Sequence, residues 1–202
     1  MSDFAYSFDP EVTASPGLTP SQTVGPFFHY ALPYEHGPRV AGHSRPGAFT
    51  LTGRVLDGEG QEVPDSMVEI WQADENGEFV ETPGIYQPVG PDGFRGFGRC
   101  PTDAYGFYEF LTVRPGPVRT TDGTRQAPHI AMSVFARGML RRVVTRVYFP
   151  EESDANASDP LLGALPEERR RTLVAERTED GYRFDVRLQG DQETVFLDVF
   201  AR

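Results

Sequence analysis

Residues 49–56 read Phe-Thr-Leu-Thr-Gly-Arg-Val-Leu, an alternation of apolar and polar positions with the two-residue period of a strand that buries one face. The run ends at Asp57-Gly58-Glu59-Gly60, a composition suited to a hairpin turn. Comparable strand signals follow over residues 67–72, 107–113, 129–136, 142–149, 182–189 and 194–200, separated by Pro- and Gly-rich turns. Short strands at this spacing predict an all-β fold, a β-sandwich. One helix is expected over residues 166–177, because Pro166 suits a first turn and Glu167 and Glu168 suit the positive end of a helix dipole. Its apolar face is narrow, formed by Leu173 and Val174. Residues 1–48 show neither a strand nor a helix period and carry Pro10, Pro16, Pro20, Pro26, Pro33, Pro38 and Pro46. They are expected to form an extended N-terminal arm, with residues 49–202 forming the sandwich. Phe27, Phe28, Tyr30, Leu32 and Tyr34 give the arm more aromatic surface than a solvated tail exposes, so it should pack on something.

A chain of 202 residues with 38% hydrophobic and 12% aromatic content can bury one substantial core. The net charge of -11 excludes nucleic acid and anionic membrane as natural partners, since both would be repelled. No apolar run approaches the roughly 20 residues of a spanning helix, and residues 1–10 lack a basic start and apolar centre. A cytoplasmic location is the expectation. The single cysteine, Cys100, rules out an internal disulfide. Every basic side chain is arginine, which reads as a compositional bias.

Candidate chemistry centres on His129. In the run His129-Ile130-Ala131-Met132, His129 and Ala131 share one strand face, where a metal site would place two ligands side by side. One position offers an imidazole and the other a methyl group. His36 and His43 lie in the Gly/Pro-rich arm beside Glu35, and Cys100 lies between Arg99 and Pro101. Solvated loop histidines and a small buried thiol account for them. Glu69 and Asp103 have no partner at catalytic spacing, and Arg141-Arg142 and Arg169-Arg170-Arg171 suit surface or subunit ion pairs.

An ordered set of motifs adds a resemblance. The segments Val68-Glu69-Ile70-Trp71-Gln72-Ala73-Asp74-Glu75-Asn76-Gly77, Phe97-Gly98-Arg99-Cys100-Pro101-Thr102-Asp103, Gly106-Phe107-Tyr108 and Pro115-Gly116-Pro117 occur in this order. Together they resemble the intradiol ring-cleaving dioxygenases, whose non-haem ferric iron opens catechols between the two hydroxyls. The arm sequence Thr19-Pro20-Ser21-Gln22-Thr23-Val24-Gly25-Pro26-Phe27, the strand end Ser133-Val134-Phe135-Ala136-Arg137-Gly138 and Tyr182-Arg183-Phe184-Asp185 narrow it to the branch built from alpha and beta subunits.

The resemblance implies two tyrosinate and two histidine ligands, and these positions hold Phe79, Val118, His129 and Ala131. Phe79, Val118 and Ala131 have no atom that can bond a hard ferric ion. The family's catalytic arginine matches Gln126, with Arg125 beside it. No cofactor is therefore expected on this chain. Fe(III) in the holoenzyme would be bound by an iron-bearing beta subunit of similar fold, acting on the aromatic acid protocatechuate with O2. This chain would supply carboxylate recognition through Arg137 and pocket wall through Thr23, Gly25 and Pro26. A guanidinium holds a carboxylate by two parallel hydrogen bonds, glycine admits a close ligand, and proline stiffens the approach. The competing reading is a non-catalytic β-sandwich binding or scaffold protein, with Arg137 in a structural ion pair.

Overall fold

The strand periods noted above organise two packed sheets in the computed structural model, which describes residues 22, 23, 25, 27–81 and 87–199, with His29 by its backbone only. The first sheet is built on β1 (Ala48–Leu56), which pairs antiparallel with β4 (Phe107–Val113). Along its other edge β1 runs parallel to β10 (Gly181–Arg183) and β11 (Val186–Arg187) in one continuous register, with Thr50 opposite Gly181 and Val55 opposite Val186. Beyond β10 lies β9 (Glu176–Arg177). The second sheet is antiparallel, in the order β3 (Phe97–Pro101), β2 (Ser66–Trp71), β7 (His129–Ala136), β8 (Val143–Tyr148). A separate two-residue ladder joins β5 (Val118–Arg119) to β6 (Arg125–Gln126).

The core lies between the sheets. Leu51, Val55, Phe110 and Val186 from the first meet Val68, Ile70, Ile130, Met132, Val134 and Val147 from the second, all buried. Burying side chains of this size stabilises by about 1.5–3 kcal/mol each before the entropy of ordering is charged against it. The alternation on β7 is strict: Ile130, Met132, Val134 and Ala136 point into the sandwich. His129, Ala131, Ser133 and Phe135 therefore stand on its outer face.

A second apolar cluster of Ala127, Tyr148, Leu162, Leu173 and Val195 packs outside the sandwich. Three short helices cross this region: α2 (Ser153–Ser158), α3 (Pro160–Gly163) and α4 (Glu167–Arg170); α1 (Phe28–Ala31) belongs to the arm. Asp159 ties the cluster together. Its buried carboxylate accepts from Leu161 N (2.9 Å) and Leu162 N (3.1 Å) as the cap of α3, from Ala127 N (2.9 Å) and from the Tyr148 hydroxyl (3.1 Å). A carboxylate with so many donors carries little desolvation penalty.

Several sequence expectations need correction. The helix expected over residues 166–177 is only α4 and a 3-10 turn at Arg171–Leu173. Val174 is extended (φ -100, ψ 123), since it bridges to Tyr148 and Ala175 N donates to the Tyr148 carbonyl, so sheet pairing takes the residues the helix would have used. Residues 182–189 form two short strands with a break at Phe184 and Asp185, where the Asp185 side chain accepts from Arg54 N (3.0 Å). Residues 194–199 are not a strand. The Asp57–Gly60 turn exists, with Asp57 Oδ1 accepting from Glu59 N and Gln61 N, yet β1 and β2 that flank it lie in different sheets. Of the residues expected in the arm, Val40 and Ala41 are fully buried, and Arg39 and Ala41 bridge to Leu111 and Phe94.

Among the described residues no helix is long and apolar enough to cross a membrane.

Candidate functional site

The ligand positions implied by resemblance gather on the outer face of the second sheet and beside it. In register, Trp71 and Arg146 flank Ala131, and Tyr148 lies opposite His129. Phe79 stacks on Trp71 with ring centroids 6.4 Å apart and planes 17° apart. Val118 faces Gln126 across the β5/β6 ladder. The site that results is aromatic and cationic where a ferric centre would need anionic oxygen.

His129 is held in a structural role. Its Nδ1 lies 2.8 Å from the Ala127 carbonyl, which assigns the ring proton to Nδ1, and its ring packs 5.7 Å from that of Tyr148. Burial, reinforced by the charge of Arg146, pulls its pKa from 6.5 down to about 4. The neighbouring Tyr148 hydroxyl is pushed up to about 12 by burial and stays protonated. Ferric iron does not fit these residues: one imidazole is the only donor the four positions hold.

The residues expected at the shared pocket lie elsewhere. β7 ends at Ala136, so Arg137 sits in the following turn, not on the strand. The eight residues of β7 separate it from His129 by roughly 25 Å. At this far end the structure joins the arm to the turn: the Gly138 amide donates to Thr23 Oγ1 at 3.0 Å, although the two are 115 positions apart. Gly138 (φ 89) and Gly25 (φ 72) both adopt left-handed backbone, which a side chain would strain. Thr23 is exposed, as is Arg137, whose Nη2 lies 2.8 Å from Asp65 Oδ2. Thr23, Gly25 and Arg137 thus belong to one end of the molecule; Pro26 lies outside the described residues.

Asp65 was not foreseen. No spacing links it to Arg137, and only the pairing of Ser66 with Ala136 brings the two together. Asp159 could have been found, because an Asp directly before a Pro is a helix-start signal. Cys100 is buried, and burial pushes its thiol pKa up, which leaves it inert. His36, at φ 62, lies 3.5 Å from Glu35, and the two make a surface pair.

A family model described as Dioxygenase matches residues 24–190. The protocatechuate 3,4-dioxygenase alpha chain of Burkholderia cepacia is 44% identical over 198 residues, covering 90% of this chain and 97% of that one. The beta chain of the same organism's protocatechuate 3,4-dioxygenase is 38% identical over 157 residues, covering 72% of this chain and 66% of its own length. Among solved structures, the dioxygenase domain of a dioxygenase carbohydrate-binding protein fusion from Streptomyces sp. SirexAA-E superposes with a TM-score of 0.58 at 25% identity. It covers 85% of this chain and 98% of that one.

Proposed function

The chain belongs to the intradiol ring-cleaving dioxygenase family, and from that premise we propose that it is the iron-free alpha-type subunit of a protocatechuate 3,4-dioxygenase. Members of this family depend on non-haem ferric iron. Here that iron is held by a beta-type partner, whose relatives are separate chains of the same family, and the working site is shared between the two subunits. The overall reaction opens the ring of protocatechuate with O2 between its hydroxyls and gives 3-carboxy-cis,cis-muconate.

One observation carries this reading. The residues with ligand-recognition chemistry, Thr23, Gly25 and Arg137, are exposed or half-buried and gathered roughly 25 Å from the unusable ligand positions. A chain that ran its own chemistry would keep recognition and metal together; a chain that completes a partner's pocket would not. Arg137 grips the ring carboxylate with two parallel hydrogen bonds, Thr23 and Gly25 form wall with Pro26, and the substrate is thereby oriented for the partner. The ion pair to Asp65 does not block this. Exposed pairs are worth about 0–1 kcal/mol, less than a charged bidentate contact, so Arg137 can exchange one carboxylate for another.

The Asp65 contact also supports a second reading, in which Arg137 only braces the turn of a scaffold subunit. Turnover by the assembled alpha and beta chains separates the two. Arg137→Ala raises KM for protocatechuate roughly tenfold to a hundredfold and leaves catechol, which has no carboxylate, nearly unaffected. An unchanged KM for protocatechuate would assign Arg137 to bracing.

A further inference from the structure

On the side of the molecule that carries Pro115, Gly116 and Pro117 there is an open cleft of about 840 Å³. Its apolar wall comes from Phe49, Pro115, Pro117 and Pro128, and its charged rim from three arginines and three glutamates. The wall is rigid. Its prolines fix the backbone, and Gly116 N donates to the Asp74 carbonyl at 2.7 Å. The volume lies within the range of about 300–1,000 Å³ typical of small-molecule sites.

The rim is unevenly satisfied. Glu75 is locked in a bidentate pair by Arg45, with Nε and Nη2 each at 2.8 Å. Glu151 accepts from the Tyr182 hydroxyl at 3.0 Å and lies 3.6 Å from Arg177, and Glu152 lies 3.5 Å from Arg114. All three carboxylates are engaged, yet Arg125 has no ion pair or side-chain hydrogen bond among the described residues. Arg125 also stands directly across the β5/β6 ladder from Arg119, a like-charge pairing that costs stability. In a chain of net charge -11, two facing arginines without a carboxylate between them are conspicuous.

The geometry points to a binding site for a small aromatic carboxylate in this cleft, with the ring against the proline and Phe49 wall and the carboxylate on Arg125. Arg114 has only a long ion pair and can turn to share the anion, whereas Arg177 is held over the Tyr182 ring, 4.9 Å from its centroid. The site is separate from the shared pocket at Arg137 and holds whether or not that pocket works as proposed. Its ligand is bound without being transformed, since all three rim carboxylates are engaged by arginine or tyrosine.

The test is equilibrium dialysis of 4-fluorobenzoate, read by fluorine NMR, against the chain assembled with its iron-bearing partner. Wild type binds one more 4-fluorobenzoate per alpha chain than Arg125→Gln does, and at that site the substitution weakens binding by roughly tenfold or more. Glu152→Gln, which frees Arg114, tightens binding at the same site. Neutral 4-fluorobenzyl alcohol does not occupy it. KM for protocatechuate is the same in Arg125→Gln and wild type, so failure of the shared pocket would appear in turnover and failure of the cleft in stoichiometry. Equal stoichiometry and affinity in Arg125→Gln and wild type, equal binding of the alcohol, or a change in KM without loss of a site would each overturn the assignment.

Discussion

His129 shows how a residue can keep a family position and lose the family chemistry. Its imidazole donates to Ala127, stacks near Tyr148 and has a pKa depressed to about 4 by burial. A histidine whose folded pKa lies below its unfolded value of 6.5 makes the unfolded state bind more protons in between, so stability rises with pH across that window. The contribution is complete above pH 6.5 and is lost as pH falls toward 4, by on the order of 3 kcal/mol. His129→Gln should flatten that part of a denaturation-against-pH curve, while an unaltered curve would mean that the acid limb comes from other groups. Gly25 tests the other end of the chain. Its backbone lies at φ 72 with nothing among the described residues within 4 Å of where a side chain would go, so Gly25→Ala strains the arm without a clash against them. The substitution is expected to cost about 1 kcal/mol locally and to raise KM for protocatechuate in the assembled enzyme more than it lowers the melting temperature. Chemical identity at these positions was legible from sequence; the Thr23 to Gly138 hydrogen bond was not, because nothing local encodes a contact across 115 residues.

Among the elements, one buried side chain adds a polar tie between the arm and β3. Arg95 is 4% exposed and donates to five backbone carbonyls: Phe97, Gln87, His36, Gly37 and Arg39. Three of these acceptors belong to the arm, so this guanidinium reinforces the bridges that Arg39 and Ala41 make to Leu111 and Phe94. Lysine cannot reproduce a planar five-donor fork, and Arg95→Lys should destabilise by on the order of 2–4 kcal/mol in urea denaturation. Faster amide exchange over residues 36–41 should accompany it; a loss of stability without that exchange would place the damage outside the arm. The strands that alternate cleanly, β1, β4 and β7, were readable from their period because each has one face in the core. β3 was not expected as a strand, since Gly98 and Pro101 interrupt its pattern and only pairing with β2 makes it one. The helix over residues 166–177 failed for a related reason: local propensity favoured it, and bridging to Tyr148 overrode it.

For the whole molecule, the proposed function puts the two halves of a dioxygenase site at opposite ends of β7. The outer face of the second sheet carries His129 and Ala131, two positions that the resemblance implies for metal ligands, and the opposite end of β7 carries the exposed Thr23 and Arg137 proposed for recognition. Exposed Phe27 and Tyr30 on the arm, at 74% and 76%, add apolar surface close to that end in sequence, the kind of surface a subunit interface covers. The fold and the family were legible because several motifs stand in order along the chain; the placement of Arg137 was legible only in part, because its ion pair to Asp65 depends on the pairing of β2 with β7. The most direct measurement is of iron content and protocatechuate turnover for the purified chain alone, for its beta-type partner alone, and for the two expressed together. The account predicts no stoichiometric iron and no turnover for this chain alone, and in the assembly about one iron per alpha-beta pair, with an Arg137-dependent KM. Stoichiometric iron and ring cleavage by the chain alone would contradict it.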